Sequence, residues 1–304
     1  MELVYVLALM ITGVGAGFAS GMLGVGGGFI MVPVQFWVLT SMGVEPTLAT
    51  RISFGTALAV AFPTAINASY GHCRRGAVIS KAALLLGIAG LVGAFLGGAV
   101  AAHAPGDLLR IVFGLVIIAA ASRMVMGPGP QAGGGGEGCG VGSGVGDGDG
   151  GGVEGADGGD GGEGPMVKSA SCYLLLGLPI GFLCGLIGIG GGVIMVPVLS
   201  MTMGFGMHRA IGTSATAIIL TSSGGVISYV LNGLNVYGLP PHSLGYVNLL
   251  QWALLAGTSI PAACIGVRAA HRLPANRLRA VFTVLMVYMA LRMMGVFELF
   301  HLPI

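Results

Sequence analysis

The sequence predicts an all-α polytopic membrane protein built from two inverted-topology repeats, each with a glycine-broken first segment. Three observations predict it. The chain of 304 residues is 55% hydrophobic and only 8% charged, with a mean hydropathy of +0.93. A motif, "GMLGVGGGFIMVPV" at 21–34, returns as "GLIGIGGGVIMVPV" at 185–198. Basic residues also cluster in opposite connections of the two copies, which is the signature of opposed orientation.

The uncharged runs 3–43 and 210–267 far exceed the ~20 residues that cross a ~30 Å hydrocarbon core. In the first copy, 1–126, apolar segments fall near 3–40, 48–69, 79–102 and 107–126. The opening "MELVYVLALM" has no basic residue before its apolar run, so it reads as a retained transmembrane segment rather than a cleaved leader. As one helix, 38 residues would run ~57 Å, so the first segment is expected to fold back on itself. Residues 127–168 form a flexible linker: of the 40 residues from Gly127 to Met166, 21 are glycine and seven are acidic, with no base. Such a stretch lacks the apolar bulk for a core. Its "DGDG" lacks the distal glutamate of an EF-hand loop. The second copy, 169–304, has apolar segments near 171–203, 210–232, 246–267 and 277–297.

The copies are related residue by residue. Between Gly17–Val34 and Gly181–Val198, twelve of eighteen positions are identical. Ala49 and Ser53 pair with Ala210 and Ser214, "LRIVFG" at 109–114 with "LRAVFT" at 278–283, and "SRMV" at 122–125 with "LRMM" at 291–294. The connection 71–81 holds Arg74, Arg75 and Lys81, whereas its counterpart 233–245 is uncharged. The next connection in copy two carries Arg268, Arg272, Arg277 and Arg279, against Asp107 and Arg110 in copy one. By the positive-inside rule the copies face opposite ways and the linker is cytoplasmic. Inversion requires an odd number of crossings per copy, which the folded-back first segment supplies.

The glycine triplets carry the chemistry. Gly26, Gly27 and Gly28, and Gly190, Gly191 and Gly192, permit backbone conformations closed to other residues and each weaken a helix by ~1 kcal/mol against alanine. Unwound backbone at membrane depth is tolerated only where protein, water or a ligand satisfies it. The half-helices starting at Phe29 and Val193 present free N–H groups and positive dipole ends to the break. Two such ends related by an axis in the membrane plane form an anion site. Gly21 and Gly24, and Gly93, Gly97 and Gly98, read instead as helix packing residues. "GVGGGF" is not a dinucleotide loop, because no strand precedes it and no ribose-binding acid follows.

The twin "G-x-x-x-G-x-x-G-x-GGG-x-x-x-VP" elements, the "TS" of Thr213-Ser214, and the closing "LR-x-x-F" and "RM" elements resemble the sulfite exporter TauE/SafE family of membrane permeases. The resemblance implies transport of small sulfur-containing anions, such as sulfite or organosulfonates, across the plasma membrane. It extends the candidate substrate-binding set to Thr213, Ser214 and, in copy one, Ser53. Copy one departs from the pattern in reading Arg51-Ile52-Ser53 where copy two has Gly212-Thr213-Ser214, and the acidic linker is heavier than a plain interrepeat loop.

Arg51 has no acid within its apolar segment. It reads either as a bidentate oxyanion ligand or as an arginine snorkelling to the interface. Asn67, Tyr70, Tyr229, Asn232 and Gln251 read either as hydrogen-bond donors to an anion or as interhelical glue. His72, His208 and His271 lie near loop ends and are expected to titrate in solvent.

Four acids lie outside the linker (11 − 7 = 4): Glu2, Glu45, Asp107 and Glu298, all near segment ends. No buried carboxylate offers a proton relay. The body carries 13 − 4 = +9, which suits anionic cargo. A membrane potential of 100 mV, inside negative, biases a monoanion outward roughly fifty-fold, so unassisted flux favours export. No cofactor, metal or nucleic acid is expected, the scattered cysteines form no C-x-x-C site, and no catalytic triad presents itself, so the chain is not read as an enzyme. The expected partners are the anion, the lipid bilayer and a basic protein on the acidic linker. An anion channel, or a carrier of a different small anion, is the alternative.

Overall fold

The computed structural model describes residues 3–24, 26–126, 170–269 and 275–295; the acidic linker and His271 lie outside the described residues. The first apolar run forms two helices, α1 (Leu3–Leu23) and α2 (Gly28–Ser41), and its counterpart forms α6 (Ala170–Ile187) and α7 (Gly192–Thr202). Between them the backbone turns left-handed at Gly24, Gly26 and Gly27 (φ 66°, 82° and 71°) and at Gly188, Gly190 and Gly191 (φ 69°, 81° and 98°). An L side chain there costs ~1–2 kcal/mol per residue, so glycine is the residue that lets each run stop and restart. At 14 and 11 residues, α2 and α7 extend only ~21 and ~17 Å, short of the hydrocarbon core, and each contains a proline, Pro33 and Pro197.

The remaining helices are α3 (Pro46–Cys73), α4 (Ser80–His103), α5 (Gly106–Met126), α8 (Met207–Gly233), α9 (Leu249–Ala269) and α10 (Ala275–Met293). Helix α3 begins where Glu45 accepts hydrogen bonds from the N–H groups of Thr47 (3.0 Å) and Leu48 (2.9 Å), with Pro46 at the first helical position, where no intrahelical N–H is needed. Among the described residues, six helices (α1, α3, α4, α6, α8 and α9) are long and apolar enough to cross a membrane. Exposed Leu7, Ile11, Leu84, Ile88, Leu96, Leu115, Leu175 and Ile265 suit contact with lipid tails.

Among the described residues the one sheet is a short hairpin, β1 (Ser243–Leu244) and β2 (Val247–Asn248), pairing Ser243 with Asn248 and Leu244 with Val247. Periodicity gave no warning of it, since two-residue strands carry no alternation to read. Gly245 (φ 57°) makes the turn, and Tyr246 N–H donates to the Tyr229 carbonyl at 3.2 Å.

Helix packing joins the copies. A Cβ on Gly13, Gly17 or Gly21 of α1 would strike Leu255, Ser259 or Ala263 of α9, and a Cβ on Gly177, Gly181 or Gly185 of α6 would strike Leu86, Gly90 or Ala94 of α4. These are the same three contacts with the copies exchanged: the α6 glycines lie 164 residues after those of α1, and the α9 residues 169 after those of α4. For Gly17 the nearest obstacle is the Ser259 carbonyl oxygen at 2.2 Å, and for Gly181 the Gly90 oxygen at 2.3 Å. Such approach admits no side chain, which is how small residues bring membrane helices together. The two most buried spans, α3 and α8, pack on each other. Polar links complete the join: Thr64 Oγ1 and Ser259 Oγ (3.0 Å), Ser69 Oγ and Thr216 Oγ1 (2.7 Å), and Asn67 Nδ2 donating to the Ile260 carbonyl (2.8 Å).

Candidate anion site at the helix breaks

The two breaks touch. A Cβ on Gly28 would lie 2.9 Å from the Gly188 oxygen and 2.9 Å from the Ile189 Cα, and one on Gly26 would lie 3.2 Å from the Ile189 oxygen. Each break also rests on a helix of the other copy. Gly24 abuts Ile211 and Ser214 of α8, while Gly188 abuts Phe54 of α3, its hypothetical Cβ only 2.5 Å from the Phe54 Cα.

The half-helices start alike. Ile30 and Met31 donate their N–H groups to the Gly27 carbonyl (3.1 and 3.3 Å), and Ile194 and Met195 donate theirs to the Gly191 carbonyl (3.2 and 2.9 Å). The N–H groups before those positions precede the first intrahelical bond. Neither cap residue, Gly27 or Gly191, supplies a side-chain cap. Phe29 is fully buried and Val193 nearly so. The buried start of α2 thus meets the turn at Gly188 and Ile189 that leads towards α7, and each half-helix begins without a side-chain cap, so its first N–H groups are of the kind that an anion can accept from.

The other residues singled out from the sequence are placed differently. Ser214 is at the first break: its Oγ donates to the Ile211 carbonyl (2.9 Å) and approaches the Gly24 oxygen (3.4 Å). Ser53, its counterpart, is buried and donates to the Ala49 carbonyl (2.7 Å). Thr213 Oγ1 accepts the Ile79 N–H (3.2 Å), anchoring the approach to α4. Arg51 is half-buried, its Nη1 donating to Tyr246 Oη (3.2 Å) and its Nη2 to the Ala104 carbonyl (3.0 Å) beyond α4. Its guanidinium also lies 5.8 Å from the Tyr246 ring centre. The partner that was missing from its own segment thus comes from the hairpin and the end of α4, while Nε is buried without one.

Of the polar residues with two readings, Asn67 joins α3 to α9, bonding the Ile260 carbonyl and the Cys264 sulfur. Tyr229 donates to the Gly185 carbonyl (3.0 Å). Asn232 donates to the Ser228 carbonyl within its own helix (2.8 Å). Tyr70 is exposed, under Arg74. Gln251 is buried with its Oε1 unpaired. His208 is exposed. The solvent reading of His72 is corrected: it is buried, with Nε2 3.2 Å from the Gly21 carbonyl, because the end of α3 packs onto the end of α1.

Two residues escaped the sequence reading. Gln35 of α2 is fully buried with neither amide atom paired, and Ser222 of α8 is fully buried with its hydroxyl unpaired. A Cβ on Gly190 would lie 3.2 Å from the Ala61 Cβ and 3.8 Å from Ser222 Oγ. Composition could not flag Ser222, since serine is common in membrane helices. The repeat could have, because its counterpart at the 161-residue offset of Ser53 and Ser214 is Ala61.

Outside the membrane, the two amide bonds at the start of α3, led by that from Leu48, hold the Glu45 carboxyl below its usual range.

Known proteins share this sequence along nearly its whole length. A probable membrane transporter protein of Haemophilus influenzae is 24% identical over 289 residues, covering 95% of this chain and 98% of the relative. Another, of Methanocaldococcus jannaschii, is 25% identical over 287 residues and covers 94% of each. A third, of Bacillus subtilis, is 26% identical over 225 residues, 74% of this chain and 78% of the relative. No solved structure matches the chain significantly. The sequence model of the sulfite exporter TauE/SafE family matches residues 9–293, and with the glycine breaks at 24–28 and 188–192 inside that span, the chain belongs to the sulfite exporter TauE/SafE family, a family of membrane transporters.

Proposed function

We propose that this transporter is a secondary carrier that exports small sulfur-containing anions, such as sulfite or organosulfonates, across the plasma membrane. The observation that carries the reading is the contact of the two breaks, Gly28 against Gly188 and Ile189. That contact sets the start of α2 against the turn that leads into α7, and uncapped helix starts beside a shared crossing are suited to an oxyanion. The donors in this reading are the backbone N–H groups around Gly26, Gly27, Gly28 and Phe29, and around Gly190, Gly191, Gly192 and Val193. Ser214 borders the first break from α8; in this reading Ser53, beside the Phe54 that meets Gly188, Thr213, which holds the loop before α4, and Arg51, which adds positive charge, complete the substrate-binding set.

The exchanged contacts α1 on α9 and α6 on α4 fit two copies related by a two-fold axis; together with the opposed basic connections they support inverted repeats, and so alternating access by rocking one copy against the other. Under the positive-inside rule the acidic linker is cytoplasmic, where it has the charge to hold a basic partner protein.

The test is sulfite efflux from proteoliposomes under an imposed inside-negative potential, with sulfoacetate, thiosulfate and sulfate as competitors. Saturable, competed efflux that grows with the potential supports the carrier. Unsaturable flux without counterflow indicates a channel, and absence of sulfur-anion flux overturns the substrate.

A further inference from the structure

Helix α8 presents one row of side chains to both breaks. Ser214, Ile218 and Ser222 are spaced four apart and so share a face. Ser214 meets Gly24 of the first break; Ile218 and Ser222 meet Gly190 of the second, with the Ile218 methyl and Ser222 Oγ each 3.8 Å from a Cβ built there. Serine and threonine in membrane helices ordinarily return their hydroxyl to a carbonyl of the preceding turn. The neighbours do so: Thr221 bonds the Ala217 carbonyl at 3.1 Å and Ser223 the Leu220 carbonyl at 2.7 Å. Ser222 does not, although it is 0% exposed. A buried hydroxyl left unpaired costs free energy, and here it lies beside Gly190, in the break just before α7.

We infer that Ser222 is a ligand-binding residue whose hydroxyl donates a hydrogen bond to an oxygen of the bound oxyanion at the Gly190 break. The inference rests on the anion-carrier reading above and deepens it. The backbone donors are nearly duplicated in the two copies, but Ser222 has Ala61 as its counterpart, and both side chains approach Gly190. The site is therefore one-sided: an oxyanion at the crossing gains its side-chain donor from α8 and an apolar methyl from α3. Such a site favours anions that offer an oxygen towards α8 and tolerate carbon or a sulfur lone pair towards α3, which pyramidal sulfite and organosulfonates do and a fully oxygenated tetrahedral sulfate does not.

The experiment compares the full-length protein with Ser222→Ala and with Ser222→Ala/Ala61→Ser. Sulfite is the probe, in two readouts: the KM of efflux from proteoliposomes, and the sulfite concentration giving half-maximal thermal stabilisation in detergent. Loss of a hydrogen bond to a charged ligand raises both in Ser222→Ala by about tenfold or more. Without sulfite, Ser222→Ala melts at the wild-type temperature or higher, because an unpaired buried hydroxyl has been removed. The added serine at 61 restores part of the affinity, which a merely structural role of Ser222 would not allow. Unchanged sulfite dependence in Ser222→Ala, or a lower melting temperature without ligand, overturns the inference and leaves the carrier reading intact. Wild-type protein that neither transports sulfite nor is stabilised by it overturns both.

Discussion

Gly28 and Gly188 are so close that a single methyl group on Gly28 would lie 2.9 Å from the Gly188 carbonyl oxygen. The contact joins residues 160 positions apart, one from each copy. Unlike Gly26 and Gly27, Gly28 does not have a positive φ, so its lack of a side chain serves approach rather than backbone conformation.

Gly28→Ala therefore separates the breaks without straining a left-handed residue. Sulfite efflux should fall at least tenfold while the protein stays folded. Gly15→Ala is the control: a Cβ there meets nothing within 4 Å, and alanine in a helix is worth ~1 kcal/mol over glycine. That variant should transport normally and melt higher; equal transport by both variants would remove the break contact from the mechanism.

Gly181→Val tests the packing of α6 on α4. The Gly90 backbone, 2.3 Å from the new Cβ, cannot rotate away as a side chain can. Overpacking costs ~1–3 kcal/mol even where neighbours yield, so the yield of monodisperse protein on size exclusion should drop sharply. Gly17→Val, meeting Ser259 at 2.2 Å, should do the same, since its contact is the exchanged counterpart.

Arg51→Lys keeps the charge and loses the fork that reaches Tyr246 and Ala104 together. Hydrogen bonds from a charged donor are worth ~1.5–3 kcal/mol, so the melting temperature should fall. Tyr246→Phe, removing one acceptor, should fall less. If Arg51 also draws the anion in, Arg51→Met raises the KM for sulfite beyond the effect of Arg51→Lys and makes it less sensitive to salt; identical KM values for the two variants would leave Arg51 a purely structural tie.

Glu45 gives a pH dependence of definite sign. Its carboxyl is held below its usual range by the amides at the start of α3, so the folded state prefers the charged form. The stabilisation is present above the unfolded-state pKa and is lost as pH falls through the depressed folded value. The melting-temperature gap between wild type and Glu45→Gln should be widest at neutral pH and close on acidification below the ordinary carboxylate range. A gap that widens in acid would show the cap to be wrongly assigned.

The sequence by itself determined that the chain is a largely helical, multi-pass membrane protein of the TauE/SafE family and marked two glycine triplets, of which Gly26, Gly27, Gly190 and Gly191 turn left-handed; Gly24, which reads as a packing residue, and Gly188 turn left-handed as well, and Gly28 does not. Transfer free energy and φ tolerance belong to each residue and its near neighbours, so they can be read before folding. Only the tertiary structure decided that Gly28 would meet Gly188, that Arg51 would find Tyr246, and that His72 would be buried against Gly21. Likewise, nothing local to "TSSGG" at 221–225 distinguishes Ser222 from its neighbours. Each of these contacts depends on which helix faces are brought together, and helices that are apolar on nearly every side carry little local record of their partners. What remains of that record is the spacing of small residues, such as Gly13, Gly17 and Gly21, which marks a face for close approach without naming the helix that will fill it.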